Sequence, residues 1–439
     1  MFNKKVLLVA LSILLISTSS YGQDESPIPQ GDISLDQVLE YALLNSPLIR
    51  QSQIDEEIGD HEIKASLAGW FPQVDVSAGG NYNIKLQTQV IGDQLITFGQ
   101  PWNSNVLFQV NQTLFNRDQL FASKSSKYYR EQLEDAIENT RINTIVEVSK
   151  AYYDILLAGE QLNILKENIG RLQKQLQDAK NRYESGLVDK TDYQRASIAL
   201  SNEESDLNRV ETSFKAKYAY LKQLMGYPDE LDFTLVFDRE EMISEIYMDD
   251  TEPLILENRV EYQIMQTQQT LTEIQSSYEK WNYLPELSAN YRYNWLYFNE
   301  SFSNLYNQAY PTSSVGLTLS LPIFKGGERN HRVRVANLQV ERGAIDLQNL
   351  GSQIRTEYEV ALSDYQSSIY EWENIRENME MAEEVYDIIK LQYDEGIKAY
   401  VELVVAESDL RTAQINHLNA IFQVLESKLD LQKALGIIE

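Results

Sequence analysis

Two hydrophobic periods alternate along this chain. From Val74 to Leu86 the even positions carry Val74, Val76, Ala78, Gly80, Tyr82, Ile84 and Leu86, and the odd positions carry Asp75, Ser77, Asn81, Asn83 and Lys85. A period of two predicts a strand with one apolar and one polar face. The same period runs through Val106, Phe108, Val110 and Leu114, through Leu287, Ala289, Tyr291, Tyr293, Trp295 and Tyr297, and through Val315, Leu317, Leu319 and Ile323. Four strands are expected, at about 73–87, 105–115, 286–298 and 313–324, each long enough to span a bilayer.

After each strand pair the period becomes helical and stays so. The stretches 117–183 and 328–393 contain no proline and few glycines. At about 1.5 Å per residue, a helix of roughly 65 residues extends about 100 Å, so its flanks must be covered by other helices. The returning segments carry the seam. Tyr193, Ala196, Leu200, Glu203, Leu207, Val210, Phe214, Lys217, Leu221 and Leu224 step by threes and fours, as do Leu403, Ala406, Leu410, Ala413, His417, Ala420, Val424, Ser427, Leu431 and Ala434. That is a coiled-coil repeat with small residues for close approach. Polar Glu203, Lys217, His417 and Ser427 interrupt it, which predicts a partly wet seam. Glycine turns at Gly186 and Gly396 join the helices of each pair, and Thr191 to Gln194 fits a capping box for the returning helix.

The two halves are copies. An offset of 210 superposes Ala151 on Ala361, Asn168 on Asn378, Tyr183 on Tyr393, Gly186 on Gly396, Leu221 on Leu431 and Gly226 on Gly436. Nearer the front the offset drifts, pairing Asn45 with Asn258, Pro72 with Pro285 and Phe115 with Phe324. Each copy reads as an amphipathic helix (about 35–68 and about 257–281), two strands and two long helices. The expected organisation is a signal peptide at 1–22, a first repeat at 23–226, an acidic equatorial insertion at 227–256 with a short strand at 233–237, and a second repeat at 257–439.

Composition narrows the function. Lys4 and Lys5, the apolar run Val6 to Ile16 and Ser20-Tyr21-Gly22 read as a secretory signal cleaved before Gln23. That run is too short to span a membrane, so a spanning structure would have to be a β-barrel. Cysteine is absent, which excludes disulfides and thiolate chemistry. With 66 acidic and 38 basic residues, the net charge of −28 argues against nucleic-acid binding. His61, His331 and His417 lack ligand spacing, and no catalytic site or cofactor is expected. Four strands cannot close a barrel, whose minimum is about eight; two protomers would give eight and three twelve, and only larger barrels leave an aqueous lumen. Basic clusters follow each strand pair, Arg117, Lys124, Lys127 and Arg130, then Lys325, Arg329, Arg332 and Arg334, which fits a solvated face or attraction to anionic lipid headgroups.

Taken in order, Ala42-Leu43-Leu44-Asn45-Ser46-Pro47, Leu284-Pro285, Leu321-Pro322-Ile323-Phe324-Lys325-Gly326-Gly327 and the two glycine turns resemble the TolC-like outer-membrane efflux protein family over nearly the whole mature chain. Val260 departs from the proline often found at its place. The resemblance implies a mainly α fold with a membrane β-barrel: a homotrimer sharing twelve strands, continued by an α-helical tunnel that docks on a periplasmic adaptor and an inner-membrane pump. It implies strand residues Val76, Tyr82, Ile84, Phe108, Val110, Tyr291, Tyr293, Trp295, Leu317 and Leu319 facing outer-membrane lipid. It places polar gate links at Thr191, Asp192, Tyr393 and Lys398, a constriction carboxylate at Glu402 with Val405 where a second would lie, and adaptor contacts at Gly186, Leu187, Val188, Gly396 and Ile397. The implied function is a passive exit duct for efflux. A duct for type I protein secretion shares this architecture, and a soluble periplasmic coiled-coil scaffold with a protein-facing sheet is the reading from another class.

Overall fold

Proline and side-chain caps set the first helices. In the computed structural model, which describes residues 29–186, 189–236, 239–248 and 252–438, α1 (Leu35–Asn45) starts at Ser34, whose backbone N–H is bonded by the Gln37 side chain at 3.1 Å. The single helix expected over 35–68 is two. Pro47 disfavours the α-helical conformation at the residue before it, so Ser46 turns out at ψ 127° and α2 (Pro47–Leu67) begins afresh. The segment read as a signal peptide lies outside the described residues.

Strands β1 (Gly31–Ile33) and β6 (Phe233–Leu235) pair in parallel, so the acidic insertion is tied to the chain's front. Its short helix α5 (Arg239–Glu245) and the residues after it reach the core through Met242 and Ile246. Tyr365 fastens this segment, donating to the Ile246 carbonyl at 3.0 Å and accepting from the Met248 amide at 2.8 Å.

Beyond α2 the chain forms β2 (Gln73–Tyr82), a separate hairpin β3 (Gln87–Ile91) and β4 (Gln94–Phe98), then β5 (Trp102–Phe115). After α6 (Val260–Lys280) come β7 (Glu286–Asn299) and β8 (Ala309–Ser320). The sheet order β2-β5-β7-β8 is antiparallel throughout. Its register puts Val76 opposite Phe108 and Phe108 opposite Tyr293; the rows Val74, Val110, Tyr291, Val315 and Ala78, Val106, Trp295, Pro311 flank it. The next row adds Ala289 and Leu317, and Leu287 pairs Leu319. Asp75, Gln109, Arg292 and Ser314 form a row of the opposite face. A period of two gives one apolar face only when neighbouring registers agree, and here they do.

Three strands differ from expectation. β2 ends at Tyr82 because Asn83 closes the pair, its amide donating to the Pro101 carbonyl at 2.7 Å, so Ile84, 86 % exposed, lies beyond the strand. A bulge between Thr113 and Phe115 takes Leu114 out of the alternation. β8 runs from Ala309 and stops at Ser320, short of Pro322, which has no amide to donate, and leaves Ile323 and Phe324 outside the ladder.

The helices α3 (Arg117–Glu184) and α4 (Lys190–Met225) form one hairpin, α7 (Glu328–Asp394) and α8 (Tyr400–Leu435) the other. The 68 residues of α3 extend about 100 Å. Every seam position named from the sequence is buried or half-buried, Leu221, Val424 and Leu431 completely. The polar interruptions are paired: Lys217 bonds Asp154, and Ser427 bonds the Val424 carbonyl at 3.0 Å. The main core lies partway along the hairpins, where Tyr152, Ile155, Tyr365, Trp372, Ile421 and Leu425 meet the first helix and the insertion.

Arg117 and Arg329 of the basic clusters turn onto neighbouring groups, while Lys124, Lys127, Arg130, Lys325, Arg332 and Arg334 stay exposed. Arg117 lies over the Tyr278 ring at 4.3 Å, Lys124 over Trp281 at 4.8 Å and Arg329 over Tyr283 at 5.1 Å. Arg329 is 6 % exposed and donates to the Pro322 carbonyl. Arg130 bonds Asp60 at 3.0 Å and Arg332 bonds Glu328 at 2.6 Å. Aromatic residues at and just beyond the end of α6, Tyr278, Trp281 and Tyr283, were the unread signal: cations over rings buttress the junction of helix and strand.

Gly226 and Gly436 close α4 and α8 in the left-handed conformation, at φ 69° and 74°. A Cβ at Gly226 would stand 2.4 Å from the Asn45 carbonyl oxygen, and one at Gly436 2.8 Å from that of Asn258. The residues matched across the two halves thus build the same junction twice. Gly226→Ala is expected to cost about 1–3 kcal/mol from φ and clash together, with Gly436→Ala less damaging. Thermal unfolding of the detergent-solubilised variants checks this order.

Candidate functional site

At the hairpin tips the chain reverses with few side-chain bonds. α7 ends in a left-handed Gly396 at φ 75°, and the Ile397 amide returns to the Gln392 carbonyl at 2.8 Å, a glycine-dependent C-cap. Gly186, at φ 72°, follows α3 with its amide donating to the Tyr183 carbonyl at 2.9 Å. Leu187 and Val188 lie outside the described residues. Ile397 is 72 % exposed. The capping box read at Thr191 does not form: the N-cap of α4 is Asp189, two residues earlier, without a side-chain cap bond, and Thr191 is an exposed first-turn residue. Extended backbone at Asp189 (ψ 158°) places the helix start there.

The residues assigned to the gate divide into two groups. Tyr393 is wedged between the hairpins, its ring 5.9 Å from that of Tyr400 and 4.9 Å below the Arg182 guanidinium, among Leu176, Ala179, Ala196 and Val404. Burial pushes its phenol above the ordinary range; Arg182 opposes this, and Asp178, Asp192 and Asp394 add to it. Asp192 therefore lies within electrostatic reach of Tyr393. Lys398 and Glu402 instead pair with each other at 2.9 Å across one turn.

About 15 Å behind that tip, at 1.5 Å per residue, lies a group that the sequence reading touched only at Glu203 and Asn168. Glu203 on α4 is 4 % exposed and Glu407 on α8 is 5 % exposed. Arg411 on α8 bonds Glu203 and reaches Asp206 at 3.4 Å. Arg171 on α3 bonds Glu407 at 3.3 Å, and Gln175 donates to the other oxygen of Glu407 at 2.7 Å. Asn168 donates to Glu203 at 3.1 Å and accepts from Arg171. Leu172, Asn202, Val404 and Ser408 complete the walls of a cleft of about 190 Å3. No single stretch of sequence reveals this group, since three helices from two hairpins supply it. Among the described residues no cluster could hold a metal ion, and no helix is long and apolar enough to cross a membrane.

A four-stranded sheet with one apolar face, carried on two helical hairpins of about 100 Å, defines an elongated channel-type architecture. The chain belongs to the family described as outer membrane efflux protein, matched over residues 38–227 and 254–437. It is 22 % identical over 414 residues to the outer membrane protein TolC of Vibrio cholerae serotype O1, covering 92 % of this chain and 91 % of that one. It is also 22 % identical to the alkaline protease secretion protein AprF of Pseudomonas aeruginosa, covering 91 % of this chain and 83 % of that one. Among solved structures, the outer membrane channel CmeC of Campylobacter jejuni superposes with a TM-score of 0.76 at 18 % identity over 96 % of this chain and 91 % of that one. CusC gives 0.76 at 15 % identity over 95 % and 98 %.

Burial holds the Glu407 carboxyl above its usual range, against the lowering effect of Gln175 and Arg171, with Glu203 raising it further. Tyr386 of α7, Tyr400 and Arg411 complete the ionisable groups around it. A carboxyl raised on folding contributes stability in full below its unfolded pKa and loses it as pH rises through the folded one. The stability advantage of the wild type over Glu407→Gln is therefore expected to be greatest in acid and to shrink as pH rises through that elevated value. Parallel melts of the two proteins across pH 4 to 8 read the difference directly.

Proposed function

We propose that this chain is the exit duct of a tripartite efflux system, exported by a cleaved signal peptide and assembled as a homotrimer in the outer membrane. The observation that carries this reading is the sheet. It has an apolar face across all four strands, exposed residues such as Val76 at 67 % and Leu317 at 73 %, and open edges at β2 and β8. Open edges and an apolar face both demand a partner, and in a bilayer every backbone group must be satisfied. Three copies joined edge to edge give twelve strands and a lumen. Val76, Tyr82, Phe108, Val110, Tyr291, Tyr293, Trp295, Leu317 and Leu319 then face lipid, and the α-hairpins continue the conduit into the periplasm.

The tips, with Gly186, Leu187, Val188, Gly396 and Ile397 foremost, meet the periplasmic adaptor, which couples the duct to an inner-membrane pump. Thr191, Asp192, Tyr393, Lys398 and Glu402 form the entrance. Lys398 forms an ion pair with Glu402 within one protomer, leaving Asp192 and Tyr393 as the stronger gate pair. The duct itself is passive and performs no chemistry. A second reading, export of a polypeptide, is favoured by the likeness to AprF and to the proteases secretion protein PrtF of Dickeya chrysanthemi.

The mature protein extracted in detergent is expected to have the mass of a trimer by light scattering and to reside in the outer-membrane fraction. A soluble monomer or dimer overturns the duct. In planar bilayers, Asp192→Asn with Tyr393→Phe is expected to raise single-channel conductance severalfold while keeping the aromatic packing, and unchanged conductance removes the pair from the gate.

A further inference from the structure

The face of the sheet opposite the apolar one is lined mainly by uncharged polar groups. Asn81, Asn103, Asn105, Asn111, Asn290 and Asn294 lie on it, with serine and threonine between them. Among the described residues of the four strands, this face carries charge only at Asp75, Arg292 and Glu286. Asp75 on β2 and Arg292 on β7 share one row, two strands apart, and both are exposed. Gln109 stands between them but turns along its own strand, its side-chain amide donating to Asn111 at 2.8 Å. Glu286 opens β7 at the far end of the strand. Its distance from Arg292 is about 20 Å at 3.3 Å per residue, roughly two screening lengths in 0.1 M salt. Asp75 and Arg292 therefore act on passing ions as one group, apart from Glu286.

We propose that Asp75 and Arg292 build a charge-compensated ring in the barrel, which keeps the membrane part of the duct from selecting cargo by the sign of its charge. The proposal rests on the reading of the chain as a trimeric duct. The strand order β2-β5-β7-β8 fixes the arrangement. When β8 of one copy joins β2 of the next, every Arg292 has an Asp75 two strands to either side, one from its own chain and one from its neighbour. Cations and carboxylates then alternate at equal intervals round the lumen. Twelve strands about 4.8 Å apart enclose a radius of roughly 9 Å before tilt widens it and side chains narrow it. The screening length is about 10 Å in 0.1 M salt, so an ion in transit stays within reach of the ring. At that width a ring of one sign would set the potential across the whole section, drawing in one class of ion and repelling the other. Alternating signs cancel towards the axis. Compensation matters here because the chain has a net charge of −28: Asp75 alone would carry that acidity into the membrane. Arg292 is the one cation on this face among the described residues. Cationic, anionic and zwitterionic solutes thus meet the same neutral wall.

The test uses the full-length mature protein in planar bilayers, with reversal potentials read in a KCl gradient. Wild-type pores of trimeric mass establish the duct by themselves. Their absence overturns the duct, whereas pores indifferent to Asp75 and Arg292 overturn only the ring. Arg292→Gln is expected to raise the potassium-to-chloride permeability ratio severalfold over wild type, and Asp75→Asn to lower it severalfold. The double variant D75N/R292Q is expected to return it close to the wild-type value. Because the chain has no cysteine, Arg292→Cys supplies a second measurement, made before and after labelling on the same assembled pore. A cationic methanethiosulfonate reagent is expected to bring its ratio back to that of the wild type, and an anionic one to push it further towards potassium. A ratio that neither substitution moves, shifts of the same sign for both residues, or a cysteine that neither reagent reaches from the aqueous phase overturns the ring.

Discussion

Everything in this protein depends on the sideways packing of helices too long to stand alone. A helix of 68 residues has backbone bonds throughout, yet its flanks gain nothing unless another helix covers them. The seam of α4 and α8 supplies that cover with apolar and small residues at every third or fourth position. Because the cover is continuous, the sheet at one end and the tips at the other are held at the ends of a stiff rod, and a change at one site is carried along packed helices rather than absorbed in a loop.

Packing is unevenly distributed along that rod. Tyr152, Tyr365, Trp372 and Leu425 make a deep core where the insertion and α1 join the hairpins. Nearer the tips the cores shrink to a few residues, such as Tyr386, Leu403, Ala406 and Leu410, or Ala179, Ala196 and Tyr400. There, paired charges replace apolar bulk. Hydrophobic burial is non-directional, while buried pairs are specific in register. The sheet poses the opposite problem. Its apolar face and open edges are unsatisfied within one chain, and the proposed duct satisfies them with lipid and further copies.

Much of this was legible in the sequence, because much of it is periodic. The alternation over Val74 to Tyr82 and Tyr291 to Tyr297 fixed which side chains share a face, and the seam positions from Tyr193 to Leu224 fixed which flank of α4 is buried. The identity of Gly226 and Gly436 across the copies marked two equivalent junctions, although only the structure showed that the carbonyls of Asn45 and Asn258 press against them. Local stereochemistry was misjudged where two signals competed. Pro47 split a helix that periodicity had joined, Asn83 ended a strand before its alternation ceased, and Asp189 rather than Thr191 took the cap.

The sequence by itself determined periods, turns and the match between halves, since each is a relation among residues near one another or at one fixed offset. Tertiary structure alone decided which charges meet. Arg171 finds Glu407 236 residues away, and Arg411 finds Glu203 208 residues away, at positions the repeat does not relate. It likewise set Arg117, Lys124 and Arg329 over aromatic rings, contacts that the clustering of charge did not reveal. The reason is geometric: a helical or strand period fixes the direction of a side chain about its own axis, but the group it meets depends on which other element lies on that side.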